Sequence, residues 1–171
     1  AHHWSRTTNS ESVLFYLSEA TDQSLEKYAI GEAVESMRLV LGLTATGEAV
    51  SPLFTKINLD HEQRAYWHRR LASALLDMRN VGEAEVHCLR ALDLYGDPVP
   101  TDRQLGSKTR AIIKFLRCGK PALPGRDRVG VATTLRTLGR IAQLTGKDSL
   151  MRYCMLRALD YALLSGDDRI T

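Results

Sequence analysis

The pentapeptide Leu-Arg-Ala-Leu-Asp stands at Leu89 to Asp93 and again at Leu156 to Asp160, 67 residues apart. That separation is close to twice a helix-pair unit of roughly 34 residues. A unit of that size is two helices that cannot bury their apolar face alone, so copies stack into a solenoid whose curved faces usually hold another protein. The residues ahead of each copy agree. Leu71-Ala72, Leu75, Ala84 and Cys88 precede the first, and Leu138-Gly139, Ala142, Gly146 and Met155 precede the second. In both copies a large-small pair on one helix is matched to a small residue, Ala91 or Ala158, on the next. That pattern lets two helices approach closely.

Periodicity and stop signals place the helices around this frame. Asn9-Ser10-Glu11-Ser12 offers caps ahead of Val13, Leu14, Leu17 and Ala20, which predicts a helix from about Ser10 to Tyr28. Gly31 is expected to mark a tight turn before a helix over 32–43 carrying Ala33, Met37, Val40 and Leu41. Residues 44–59, with Gly47 and Pro52, read as a connector. Asp60 caps the next helix, whose stripe of Trp67, Leu71, Leu75 and Met78 is expected in the core, and a partner runs over 82–95 with Ala84, Cys88, Ala91 and Tyr95 on one face. Pro98 and Pro100 stop it. The period returns over 101–119 with Leu105, Ile112, Phe115 and Leu116, Pro121 and Pro124 follow, and the last two helices span 128–145 and 148–165. No segment alternates as a strand would. The expectation is therefore one all-α domain over 1–171, with helix pairs at about 10–43, 60–96 and 128–165 and a non-repeat insertion at 101–127.

With 44% hydrophobic and 25% charged residues, the composition is that of a soluble globular chain. The sequence holds no apolar run near the ~20 residues of a membrane span and no signal-peptide pattern, which makes cytoplasmic the default location. Because the chain opens at Ala1 within a helix end and stops at Thr171 just after another helix, it reads as a piece of a longer polypeptide. Cys88, Cys118 and Cys154 form no Cys-x-x-Cys pair, and Cys88 and Cys154 sit on apolar stripes as reduced core residues.

Catalytic and metal motifs fail on inspection. His61-Glu62 starts the zinc-protease pattern, but residue 65 is Ala, so the second ligand one turn on is missing. Gly146-Lys147 resembles the end of a phosphate loop, yet Asp148 replaces the magnesium-binding Ser or Thr and Ile141 the leading Gly, so it reads as a turn. Asp167 and Asp168 lie in a polar tail, and His68 and His87 are expected at surface or partly buried positions. The reading is of no enzyme, no cofactor and no metal.

One electrostatic feature rises above background. Arg103, Lys108, Arg110, Lys114, Arg117, Lys120, Arg126 and Arg128 form a strip with a single acid, Asp127. Such a strip could hold nucleic acid or an acidic protein surface. Its one aromatic, Phe115, is assigned to the core by its spacing, which argues against base stacking and for a solvated face.

The run Ala-His-His-Trp at the start, Ala20-Thr21-Asp22-Gln23-Ser24-Leu25, Gly31-Glu32-Ala33-Val34, and Arg90 through Pro100 resembles the tetratricopeptide-like helical repeat region of large predicted signalling ATPases, many of them related or fused to class III adenylate or guanylate cyclases. Leu138-Gly139 to Asp160 is similar to later repeats of that region. The resemblance implies that the opening residues are natural sequence and that nucleotide-binding and cyclase modules would lie N-terminal to this segment. Met151 departs from it, standing where the repeat prefers a small residue, and so does the basic stretch.

Together these readings predict a tetratricopeptide-like α-solenoid acting as a regulatory, protein-interacting segment of such a protein. Counting from the large-small pairs puts Tyr66, Arg69, Ser73 and Asp77, with Arg136, Arg140 and Gln143, on the concave face, where arginine forks would take a carboxylate-bearing peptide and Tyr66 would be a rigid contact. The partner would be a protein, a peptide or neighbouring domains of the same polypeptide. The alternatives are a small-ligand sensor enclosing a metabolite, and a nucleic-acid adaptor using the basic strip.

Overall fold

The computed structural model describes residues 10–42, 59–118 and 127–165. They form seven helices: α1 Ser10–Glu26, α2 Ile30–Leu41, α3 His61–Asp77, α4 Val81–Leu94, α5 Asp102–Cys118, α6 Arg128–Leu144 and α7 Asp148–Ser165. No strand occurs among the described residues. His2-His3-Trp4, nearly all of the 44–59 connector, Pro121, Pro124, Lys120, Arg126, Asp167 and Asp168 lie outside them.

Six of the helices form three hairpins of one design. Their first helices, α1, α3 and α6, each have 17 residues. A three-residue turn follows in every case, and its middle residue is left-handed: Tyr28 (φ 58°), Arg79 (φ 63°) and Gly146 (φ 71°). The amide after it reaches back to the helix end in each hairpin, as Ala29 to Ser24 O at 2.8 Å, Asn80 to Leu75 O at 2.9 Å and Lys147 to Ala142 O at 2.8 Å. This closes the orphan carbonyls of the first helix and reverses the chain. Glycine adopts that conformation at no cost, whereas Tyr28 and Arg79 carry a Cβ there. The expected turn at Gly31 is thus displaced to Tyr28, and Gly31 sits in the first turn of α2. Asp60 and Asp127 occupy the same N-cap, accepting the amides of Gln63 at 2.7 Å and Gly130 at 2.8 Å.

Small residues recur where each first helix crosses its partner. Thr21, Ala72 and Gly139 are in register and all buried. A Cβ on Gly139 would come within 3.0 Å of Met155 Cε and 3.4 Å of Cys154 Cβ, so α6 and α7 approach more closely there than a larger residue would permit. On the second helices Val40, Ala91 and Ala158 are likewise in register and buried. The core runs continuously from Ala33 and Met37 through Leu71, Leu75 and Leu92 to Leu135 and Leu138. Met78, expected in the stripe, is half exposed because it caps the C-terminus of α3.

The hairpins pack in sequence, α3 against α2 and α6 against α4 and α3. Polar links cross each joint: Arg38 grips Glu83 with both oxygens at 2.7 and 2.9 Å, Arg70 pairs with Asp22, and Lys147 with Glu85 at 2.5 Å. The seventh helix, α5, leaves this order. It packs on α7, burying Leu105 and Ile112 while Arg103, Lys108, Arg110 and Lys114 stay exposed. Arg157 of α7 bonds Asp97 through two nitrogens at 3.3 Å and Asp160 at 2.7 Å, which tethers the segment between α4 and α5 to the third hairpin.

Candidate functional site

The shared register sorts the first-helix side chains that face away from the second helices. Phe15, Tyr66 and Thr133 occupy one level, Ser18, Arg69 and Arg136 the next, and Asp22, Ser73 and Arg140 the third. Tyr66, Ser73, Asp77, Arg136, Arg140 and Gln143 are exposed, and Arg69 is half-buried. All seven residues picked out from the sequence therefore lie on α3 and α6, helices that pack against each other. The structure brings Tyr66 and Arg69 together directly, with the Arg69 Cζ 5.1 Å from the ring centre. Arg70 adds to the cluster. Its Cζ lies 5.5 Å from the Tyr66 ring and 5.4 Å from that of Trp67, and its Nη1 donates to the Tyr66 hydroxyl at 3.0 Å. Cations over aromatic faces hold those rings in fixed orientation, at about 0.5–1 kcal/mol each.

A cleft of about 530 Å³ opens beside Tyr66, lined by Phe15, Leu59, Glu62, Gln63, Trp67 and Asp127 among others. It joins the N-terminal halves of α1 and α3 to the cap of α6. Its walls are mostly apolar, while two carboxylates and an amide border it, the mixture that fixes a ligand's orientation while desolvating its body. Phe15 was missed in the sequence because the first hairpin had no repeated pentapeptide to align. Only the left-handed turn at Tyr28, visible in the fold, places Phe15 level with Tyr66. Asp127 came to notice only as the lone acid of the basic strip.

Behind Tyr66 the electrostatics are asymmetric. The Arg69 Nε is buried with no hydrogen-bond partner. Burial and then the adjacent Asp127 carboxylate push the Tyr95 hydroxyl above its ordinary range, while nearby Arg69 opposes the shift. Tyr95 donates to Asp127 Oδ2 at 3.4 Å. Gly130 is required beneath this contact, since a Cβ there would meet the Asp127 carboxylate and lie 2.5 Å from the Tyr95 oxygen.

His68 and His87 lie deeper than the surface or partly buried positions expected of them. Both are buried where α3 crosses α4, their Nδ1 atoms 2.8 Å apart and their rings stacked at 5.0 Å. Burial, then His87, Arg90 and Arg64, depress His68 to about 3, and burial lowers His87 against the opposing pull of Glu83. The pair is neutral at pH 7, one ring donating to the other. Cys88 and Cys154 are buried as expected, and burial pushes both thiols up to about 12, so neither is a ready nucleophile or metal ligand. No group of three or more potential ligands surrounds a metal position among the described residues, and no helix there is long and apolar enough to cross a membrane. Of the basic strip, the side chains of Arg103, Lys108, Arg110 and Lys114 are seen exposed on α5. Arg128 is half-buried at the start of α6.

No family model, curated protein or solved structure matches this chain.

Proposed function

We propose that this segment is a tetratricopeptide-like α-solenoid that recognises a protein or peptide on its first-helix face, as a regulatory part of a multidomain signalling ATPase of the cyclase-associated kind. The observation that carries the reading is the alignment of three hairpins with the same first-helix length and the same left-handed turn, which brings successive first helices into one register. Such stacking presents side chains from several helices to one extended partner. An aromatic pair, Phe15 and Tyr66, supplies the rigid anchors, and Arg136 and Arg140 at the α6 end suit carboxylates of the partner. The link to signalling ATPases rests on the sequence resemblance.

The test is charge reversal. Arg136→Glu with Arg140→Glu, in protein shown by circular dichroism to fold, abolishes capture of the native partner from lysate. Loss of capture on reversing Lys114 and Arg117 instead would replace the groove with the basic strip as the docking surface. The cleft beside Tyr66 gives specific support to a second reading, a small-ligand sensor, because its volume falls in the range of metabolite pockets. In that case a Trp67 fluorescence change on adding a metabolite mixture disappears with Phe15→Ala.

A further inference from the structure

Helix α5 breaks the hairpin order, and its two faces differ in kind. Leu105 and Ile112, two turns apart, are buried where it packs on α7. On the opposite side stand Arg103, Ser107, Arg110 and Lys114, all exposed, at i, i+4, i+7 and i+11. At 3.6 residues per turn these four fall within about 60° of arc, so they form a straight row of about 16 Å along the helix. Arg117 holds the next position of that row. Lys108 does not belong to it, since its position lies about 140° round the helix from Arg103.

The row has no counter-charge within the described fold. Arg38, Arg70, Lys147 and Arg157 each reach a carboxylate on another helix or segment, which ties the structure together. Arg103, Lys108, Arg110 and Lys114 make no ion pair with any described residue. Arg110 is steadied by its Nε, which donates to Gly106 O at 3.3 Å, while no acceptor among the described residues meets its two terminal nitrogens. The helix carries one acid, Asp102, in its first turn. These cations therefore do not hold helices to one another, and the row stands ready for a polyanion.

What accompanies the row decides which polyanion fits. A single strand is held by bases stacked on aromatic rings, and the one aromatic of α5, Phe115, is half-buried. A lipid surface is entered by an open apolar face, and that of α5 is covered by α7. An acidic peptide would have to place its carboxylates at the same intervals of about 10 and 6 Å. A duplex carries about one charge per 1.7 Å of its axis, so a straight row meets phosphates in any register. Gly106 and Ala111 beside the row are small and exposed, and a Cβ on Gly106 would meet nothing within 4 Å, so a rigid rod can approach closely. Arginine forks suit its phosphates. We propose that the outer face of α5 binds the phosphate backbone of double-stranded nucleic acid without reading its sequence. This site is separate from the first-helix face and does not rest on the reading given to that face.

Fluorescence anisotropy of a labelled DNA duplex of about 20 base pairs, titrated with the 171-residue protein at about 50 to 200 mM KCl, tests this. The expected affinity does not change with the sequence of the duplex. The logarithm of the association constant falls against that of the salt concentration with a slope of about −2.7 to −3.6, as for three or four neutralised phosphates. Arg110→Gln and Lys114→Gln, at exposed sites where circular dichroism checks the fold, each lower the affinity about three- to tenfold and flatten the slope by about 0.9. Lys108→Gln removes the same charge from outside the row, so the slope stays as it was and the affinity within about twofold. An equal loss in Lys108→Gln would overturn the row in favour of diffuse net charge. Absence of duplex binding at the lowest salt with roughly 100 μM protein would overturn the proposal as well. So would tighter binding to polyglutamate or to vesicles containing phosphatidylserine, which would assign the row to an acidic protein or to a lipid surface.

Discussion

Replacing His68 by Leu should destabilise the protein, whereas replacing His68 by Leu and His87 by Cys together should cost almost nothing. The third hairpin already contains the outcome of the double change: Leu135 and Cys154 stand in register with the two histidines, and both are buried. In the single variant the Nδ1 of His87 loses its partner at 2.8 Å while remaining buried, a penalty of about 1–3 kcal/mol. In the double variant no polar nitrogen is left to desolvate, so the double-mutant cycle should show a coupling energy of about 1–3 kcal/mol. The pair also makes stability depend on pH. Both folded-state values lie below the ordinary histidine value, so below pH ~6.5 the unfolded chain binds more protons than the folded one. Stability is therefore fully present above about pH 6.5 and falls as pH drops from there, for His68 towards 3 by up to about 1.4 kcal/mol per pH unit, with His87 adding to the loss in the same direction. Urea melts at pH 7.5, 6, 5 and 4.5 read both effects. A double variant as unstable as the single one, or one with an undiminished slope between pH 6 and 4.5, would refute the account of a neutral, mutually bonded pair.

Enlarging either Ala91 or Ala158 to Leu should cost ~1–3 kcal/mol through overpacking, measured by chemical denaturation, because both are buried at the helix crossings. Arg79→Gly should stabilise by about 0.5–1 kcal/mol, since it relieves a Cβ at φ 63° on an exposed turn, and Gly146→Ala should destabilise by a similar amount. Glu83→Ala removes both acceptors of the Arg38 Nη2, leaving only Glu35 bonded to Nη1 of a largely buried side chain, so a loss of roughly 1–3 kcal/mol is expected. Gly130→Ala should displace Asp127 from the α6 cap, costing about 1 kcal/mol or more and returning the Tyr95 titration towards its ordinary value, readable by ultraviolet absorbance.

Much of this architecture was written locally. Asp60 announces the first helix of its hairpin, Ala72 and Gly139 mark the crossings, and Ala91 and Ala158 the matching points on the second helices. Each of these depends on neighbours one or two turns away, so a linear reading finds them. The first hairpin was harder, because its turn is made by Tyr28, a residue whose type gives no hint of a left-handed backbone. The candidate site divides the same way. Tyr66, Arg69, Arg136 and Arg140 followed from counting along helices, but the cleft beside Tyr66 assembles Phe15, Leu59 and Asp127 from segments far apart in the chain.

The repeated pentapeptide itself shows where sequence stops. Leu-Arg-Ala-Leu-Asp makes helix in both copies and buries its alanine in both, as helical period and side-chain volume require. Yet Leu92 is fully buried while Leu159 is exposed, and Asp93 is exposed while Asp160 is buried against Arg157. Identical residues have opposite environments because α6 covers one flank of α4, whereas α5 covers a different flank of α7. Period decides which residues share a face of a helix, and only the packing of other helices decides which of its faces meets water.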